Sequence, residues 1–295
     1  MTDKPEQENS GSGGKRKISR RRFLTYVALG AAGAGMATTA AYARWVEPFW
    51  VEYHDVHIPI PGLPLEFDGF TIAHVTDLHC GIPLRGEDVR PVLERVVTRK
   101  PDMVAVTGDL VNKIHDSYDI ALGELKYIAE KLPTYVIPGN HDYWEGIENF
   151  VIGVPKTGAV DLTNRHLVLK RGNAELVIAG IDDLWEGRPD LDAALKGIDR
   201  DAQSIILLLH NPDHFITVRG TGIDLVLAGH THGGQVKPPF MKAPLVPLRN
   251  TKYARGFFRE FGTSLYVSRG VGMLRQVRFN CRPEVAYIVL RSTNQ

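Results

Sequence analysis

Five short pieces of the chain each place hard-metal or imidazole ligands directly after an apolar run. They are Asp77-Leu78-His79, Gly108-Asp109, Gly139-Asn140-His141-Asp142, His210, and Gly229-His230-Thr231-His232. The runs before them, Phe70 to Val75, Met103 to Val106, Tyr135 to Ile137, Ile205 to Leu209 and Leu225 to Ala228, each read as a buried strand. In open α/β sheets, ligand-binding groups converge in the loops beyond the carboxyl ends of strands. The repeated placement predicts one site assembled from distant parts of the chain. Carboxylates, an amide oxygen and neutral imidazoles suit a pair of divalent cations such as zinc, iron or manganese.

In this order the blocks read D-x-H, G-D, G-N-H-[DE], a lone His and G-H-x-H, and the chain resembles a calcineurin-like metallophosphoesterase. Gly229-His230-Thr231-His232-Gly233-Gly234-Gln235, Ser268-Arg269-Gly270 and Arg278-Phe279-Asn280-Cys281 are similar to a narrower bacterial subgroup. That subgroup is exported or membrane-attached, and some of its members act as phosphodiesterases at the envelope. The resemblance runs from about residue 52 to the end of the chain. It implies two divalent metal ions, Mn, Fe or Zn. Asp77, His79 and His232 would bind the first, Asn140, His210 and His230 the second, and Asp109 would bridge both. Two cations about 3.5–4 Å apart need a shared anionic ligand, and together they clamp both oxygens of an in-line displacement and lower the pKa of water. His141 follows a ligand but is not one in the family. We expect it to be catalytic, facing the leaving oxygen as general acid or charge stabiliser.

One departure from the family matters. Many relatives, protein phosphatases among them, continue the second block as G-D-x-x-D-R, whereas here it reads Gly108-Asp109-Leu110-Val111-Asn112-Lys113. The carboxylate that would pair with His141 becomes the Asn112 amide, which adds no negative charge and raises the His pKa less. The bidentate Arg becomes Lys113, a point charge without the fork. The expected substrates therefore shift from phosphomonoesters toward phosphodiesters.

The first residues are polar and rich in Gly and Ser. Ser19-Arg20-Arg21-Arg22-Phe23-Leu24 resembles a twin-arginine export signal, and an uncharged stretch follows from Phe23 to Ala43. A basic n-region, an apolar h-region and the small-x-small end Ala41-Tyr42-Ala43 are the parts of a bacterial export signal. The alternative is an ordinary anchor helix with positive flanks. The h-region is long enough to span about 30 Å of hydrocarbon. Trp45, Phe49 and Trp50 follow as an interfacial aromatic belt would, or they pack the first strand of the next domain. Retention and cleavage of the signal both remain open. The expected division is residues 1–44 for the n-region and signal, and 45–295 for one catalytic domain.

Composition narrows the class. A net charge of +1 argues against a general nucleic-acid binder, which needs a basic face, and no nucleic-acid partner is expected. Of the two cysteines, Cys80 lies beside His79, but a domain of this size does not depend on disulfides, so Cys80 and Cys281 are expected as buried thiols.

The elements that must position the ligands follow from periodicity. Val51 to Ile60 alternates as a strand, and Gly86 to Thr98 and Ser117 to Lys131 carry helical stripes. Beyond Leu162 come the strands Leu167 to Leu169, Leu176 to Ile181, Leu265 to Val267 and Val285 to Leu290, with one short helix at Leu191 to Ile198. The mixture predicts α/β layers. The resemblance implies a four-layer α/β/β/α sandwich of two mixed sheets.

The remaining candidates carry less. His214 follows His210 at helical spacing, but Pro212 intervenes, and His54, His57, His74, His115 and His166 read as core or surface residues. Asp182-Asp183 either caps a turn or orients a site group. Gln235 to Phe258, with Arg249, Lys252, Tyr253 and Arg255, reads as a loop: a cleft wall that holds an anion, or a solvated charged segment.

The expected function is a dinuclear metal-dependent phosphodiesterase on the outer side of the cytoplasmic membrane. Its partners would be a phosphoester of the cell envelope, the twin-arginine machinery and the membrane. If the signal is cleaved, the location becomes periplasm or cell wall. Two alternatives stand beside it: a UDP-2,3-diacylglucosamine-type pyrophosphate hydrolase of lipid A synthesis, and a non-catalytic metal-binding envelope protein.

Overall fold

A computed structural model describes residues 18–112, 117–239 and 246–293. By internal contacts the chain divides into two units, Met1–Ala41 and Tyr42–Gln295. The described part of the first is helical: α1 runs Arg20–Trp45, from the arginine run past the expected h-region. Among the described residues it belongs to the one helical stretch long and apolar enough to cross a membrane.

The second unit opens with β1 (Glu52–Ile60), β2 (Thr71–Val75), α2 (Gly86–Arg99), β3 (Met103–Thr107), α3 (Ser117–Ala129) and β4 (Thr134–Ile137). Next come α4 (Asn140–Trp144), α5 (Ile147–Thr157), β5 (Val160–Asp161), β6 (Arg165–Arg171), β7 (Ala174–Gly180), α6 (Leu191–Ala194) and β8 (Ser204–Leu208). The chain ends with α7 (Phe215–Val218), β9 (Leu225–Ala228), β10 (Gly256–Glu260), β11 (Thr263–Val267) and β12 (Glu284–Ser292).

The strands form two six-stranded sheets, ordered β1-β12-β2-β3-β4-β5 and β10-β11-β9-β8-β7-β6. Both are mixed. In the first, β12 is antiparallel to β2 while β2, β3, β4 and β5 run parallel. In the second, β7, β8, β9 and β11 run parallel, with antiparallel β6 and β10 at the edges. The inner faces pack on each other through Ile72, Met103, Ile137, Ile178, Leu208, Leu227 and Ile288. The outer faces are covered by helices, Val89, Val92, Leu93 and Val96 of α2 on one side and Phe215 and Val218 of α7 on the other. Strands covered on both faces must be apolar throughout, which is why β3, β8 and β9 read as unbroken runs.

Three features depart from the sequence expectation. α5 was not foreseen, because Gly153 and Pro155 are poor helix residues. Gly153 is required there: a Cβ would collide with the Leu122 side chain of α3, so the glycine permits close packing of the two helices. The segment expected as loop up to Phe258 ends in an edge strand, since Gly256 to Glu260 pairs with β11. The helix expected over Leu191 to Ile198 stops at Ala194. The expected buried thiols are seen, with Cys80 and Cys281 both free and buried.

Phe150 of α5 is fully buried against α3 and the first sheet. Phe150→Ala should cost about 3–5 kcal/mol, read as a lowered denaturant midpoint.

Candidate metal centre

The ligand-bearing loops leave the carboxyl ends of β2, β3 and β4 in one sheet and β8 and β9 in the other. Backbone pairing continues past the strand ends. Asp77 N–H donates to Gly108 O (3.1 Å), His79 N–H to Asp109 O (3.0 Å), and Gly229 N–H to His210 O (3.0 Å). To turn alternate side chains toward one point, the backbone takes left-handed conformations. φ is 53° at Asp77, 47° at His79, 53° at Asp109, 70° at His230 and 49° at His232. Such residues cost of order 1–3 kcal/mol each and persist only where the surroundings over-determine them.

Those surroundings depend on glycine. A Cβ on Gly108 would lie 2.6 Å from His210 Nδ1, and one on Gly270 would lie 2.8 Å from the Asp77 Cβ. Gly139, Gly229 and Gly272 press equally closely on Asp109, Asp77 and the Asp77 carbonyl.

The expected ligands come together. His79 Nε2 and His232 Nε2 are 3.0 Å apart, with Asp77 Oδ1 3.9 Å from the first and 3.5 Å from the second. On the other side His230 Nδ1 lies 3.2 Å from His210 Nε2. Asp109 joins the halves: its Oδ2 is 3.4 Å from His79 Nε2 and 3.2 Å from His210 Nε2. Three groups can therefore hold a metal ion: Asp77, His79 and His232; Asp109, His210 and His230; and His79, Asp109 and His141. Asn140 follows Gly139 and is buried, and neither its Oδ1 nor its Nδ2 has a protein hydrogen-bond partner among the described residues. A buried unsatisfied amide costs about 1–3 kcal/mol. A cation on Oδ1 would relieve that cost, so the donor set fits a metal ion.

Groups behind the ligands select their tautomers. His210 Nδ1–H donates to Thr107 O (2.7 Å) and His230 Nε2–H to Pro247 O (3.2 Å), which leaves Nε2 of the first and Nδ1 of the second for a cation. Asp77 accepts from the His230 backbone N–H (3.1 Å to each oxygen) and from the Thr76 hydroxyl (2.8 Å). Asp142 ties two loops together, accepting from Leu110 N–H (3.0 Å) and Gly139 N–H (2.8 Å). Of these supports only Asp142 was marked in the sequence, by its place in the third block.

The subgroup segments gain a physical role. Arg278 is fully buried and donates to the carbonyls of Arg269 (2.9 Å) and Cys281 (3.1 Å) and also to that of Gly272. It thereby clamps the loop whose Val271 and Gly272 amides donate to the carbonyls of Thr76 and Asp77. The Cys281 thiol donates to the His232 carbonyl (3.3 Å).

Electrostatics reflect the crowding of charge. Burial holds His79 and His230 down at about 3, and His232 well below its ordinary value. Burial raises the Asp77 carboxyl to about 7, with Asp109 adding to the rise. Burial also opposes a charge on His210, but Asp109, Asp77 and Asp183 outweigh it and carry His210 up to about 10. A proton on His210 Nε2 thus occupies the place a cation would take beside Asp109.

Other candidates fall away from the site. His214 joins none of the candidate metal groups among the described residues. His74 is a core residue bonded to Thr107 Oγ1 (2.8 Å), His54 meets Tyr266 and His166 meets Ala194 O. His115 and Lys113 lie outside the described residues. Asn112 is buried and its amide donates to Ile82 O (2.9 Å). Asp182 caps a turn and accepts from Tyr143 (2.6 Å), while Asp183 accepts two turn amides. Within the basic segment, Lys252 pairs with Glu260 and the Tyr253 hydroxyl accepts from Arg219, while the Pro247 and Ala254 carbonyls of the same segment meet His230 and Thr231.

The calcineurin-like phosphoesterase family model matches residues 70–234, the stretch that carries all of these ligands. The chain belongs to this family. As a metallophosphoesterase it is a hydrolase of phosphoric esters. It is 32% identical to the uncharacterized metallophosphoesterase YkuE of Bacillus subtilis, over 95% of this chain and all of that protein. It is also 32% identical to the phosphodiesterase YaeI of Escherichia coli, over 92% of this chain and 99% of that one. Among solved structures, the NAD nucleotidase of Haemophilus influenzae aligns at 15% identity over 69% of this metallophosphoesterase and 45% of its own chain, with a TM-score of 0.47.

Metal uptake must expel the protons this site holds. Affinity should rise with pH, because His210, carried up to about 10 by its carboxylate neighbours, holds a proton that a cation must displace. The dependence should steepen toward lower pH, where the raised Asp77 carboxyl also takes up a proton. Titrations with Mn²⁺ between pH 6 and 9, read by calorimetry, check the sign and the steepening.

Proposed function

We propose that this chain is a dinuclear metal-dependent phosphodiesterase, exported by the twin-arginine route and held by α1 at the outer side of the cytoplasmic membrane. The observation that carries the dinuclear part is the shared carboxylate, since Asp109 Oδ2 lies within 3.4 Å of an imidazole from each half of the site. In this reading Asp77, His79 and His232 hold one cation, Asn140, His210 and His230 the other, and Asp109 both. Bound there, divalent cations supply Lewis acidity toward the phosphoryl oxygens and a lowered pKa for water.

The chain's own groups do the rest. His141 is the most exposed of the eight site residues, at 7%, and the others are at 4% or less. Its backbone N–H is fixed by Asp109 Oδ1 (2.9 Å), and its ring lies edge-on to His79 and tilted against Trp144, each 4.6 Å away. This ring is placed to give a proton to the leaving oxygen. Thr107 and Pro247 carbonyls keep His210 and His230 from rotating. Preference for diesters is supported by the Asn112-Lys113 sequence, which lacks the bidentate Arg, and by the name of the similar YaeI.

Attachment through α1 is supported by its C-terminal end. Ala43, the last residue of the small-x-small sequence, is helical and buried, and its carbonyl accepts from Arg278 N–H (2.9 Å). A signal peptidase needs an extended, accessible bond, and a protein exported already folded would not offer one here.

Asp109→Asn should lose both metals and all phosphodiesterase activity. His141→Asn should keep its metals while turnover falls about 10²–10⁴-fold. Metal analysis beside hydrolysis of bis(p-nitrophenyl) phosphate separates the two. Metal loss in His141→Asn would instead make His141 a ligand, as the third candidate group allows. Replacing Arg20 and Arg21 by Lys keeps the charge but removes the guanidinium fork. That variant should remain folded in the cytoplasm, and fractionation with normal export would refute the twin-arginine route.

A further inference from the structure

The catalytic unit carries an apolar patch that its own fold leaves uncovered. Trp45, Val46, Phe49 and Trp50 are 65%, 49%, 42% and 53% exposed, and Leu274, distant in sequence, is 42% exposed. They are held together. Arg44 donates to Gln276 O (3.0 Å) and Gln276 Nε2 returns a bond to Arg44 O (3.1 Å), which brings the 274–276 loop beside the 44–50 segment. Arg282 donates to Trp50 O (2.9 Å), with its guanidinium 4.2 Å from the Trp50 ring centroid.

The patch is presented by buried groups and does not hang loosely. Glu47 is 1% exposed and accepts from Cys281 N–H, and Pro48 is buried with it. The turn is fixed from inside while its large side chains face out. Arg44 and Arg282 stand beside them, and Arg275 follows Leu274 in the same loop. The groove beside Phe49 and Trp50 also holds Glu87 and Asp88. Asp88 is engaged by the Arg85 amide that starts α2, and Glu87 lies 3.9 Å from the Arg85 guanidinium.

We infer that this patch rests on an anionic bilayer surface, so that the catalytic unit itself lies against the membrane. The inference rests on the proposed membrane attachment through α1. Two observations choose the bilayer over a protein partner. The patch begins at Trp45, the residue where the apolar helix ends, so the chain itself delivers it to the interface. Its composition is that of an interfacial belt, two of the chain's four tryptophans with arginines around them.

The patch is also wired to the metal centre. Gln235, three residues past His232, accepts from Leu274 N–H (3.1 Å) and donates to Val277 O (3.0 Å). Cys281 connects Glu47 to the His232 carbonyl from the other side. The substrate class this implies is a phosphodiester carried by the bilayer, such as a lipid-linked head group.

The full chain in vesicles of phosphatidylcholine and phosphatidylglycerol tests the inference. Leu274→Cys is labelled with an environment-sensitive fluorophore, both native thiols being buried. Labels at Ala31→Cys in α1 and at Lys170→Cys in β6 serve as references. With brominated acyl chains, the labels at 274 and 31 should lose fluorescence and the label at 170 should not. Quenching at 31 with none at 274 overturns the inference and leaves the α1 anchor standing. No quenching at 31 overturns both. Equal quenching at 274 in vesicles without phosphatidylglycerol overturns the anionic part.

Discussion

The structure is organised around one carboxylate. Asp109 sits at 2% exposure with imidazoles from both sheets within 3.4 Å of Oδ2, and its Oδ1 takes the His141 backbone N–H. A buried carboxylate is expensive unless its charge is answered. Burial opposes ionisation here, yet His210, His79 and His141 around it hold Asp109 well below the usual carboxylate range. The two sheets are therefore joined at their carboxyl ends by charge as well as by the apolar layer between them. A Leu-to-Leu contact would hold the sheets together but would leave their relative register soft. The Asp109 contacts to His79 and His210 fix the loops of one sheet against those of the other.

That precision is reached through strain. Five of the seven expected metal ligands hold φ between 47° and 70°. Each one turns the chain sharply after a strand, so Asp77 and His79, two residues apart, aim at one half of the site, while His230 and His232 reach different halves. The glycines at 108, 139, 229, 270 and 272 lie where the neighbouring backbone and carboxylates leave no room for a Cβ. Part of the free energy gained in packing the two sheets is stored in these loops, which fixes the ligands before any cation arrives.

Much of this was legible in the sequence. β3, β8 and β9 announce themselves as unbroken apolar runs, and each ligand block follows its strand, so the convergence of the site could be read before its geometry was seen. α5 could not be read this way, because Gly153 serves a contact with Leu122 that is only known once α3 is in place. The same holds for β10, whose Gly256 to Glu260 becomes a strand by pairing with β11, a tertiary cause that overrides weak local preference. The supports of the site were also invisible, since Thr107 and Pro247 act through backbone carbonyls that every residue possesses. Arg278 was marked only by family likeness. Its role as a buried clamp follows from the four carbonyls it meets.

The clamp also explains why the C-terminal segments matter to a site whose ligands end at His232. Arg278 carries no metal ligand, but its backbone N–H holds Ala43 while its guanidinium holds the carbonyls of Arg269 and Gly272. The loop so fixed supplies Gly272 N–H to the Asp77 carbonyl at 2.7 Å. The end of the apolar helix, the loop and the first metal ligand are thus three links of one hydrogen-bonded chain. Taking these carbonyls away from the guanidinium would leave a buried charge unpaired, so the loop that carries Gly272 is held firmly against Asp77.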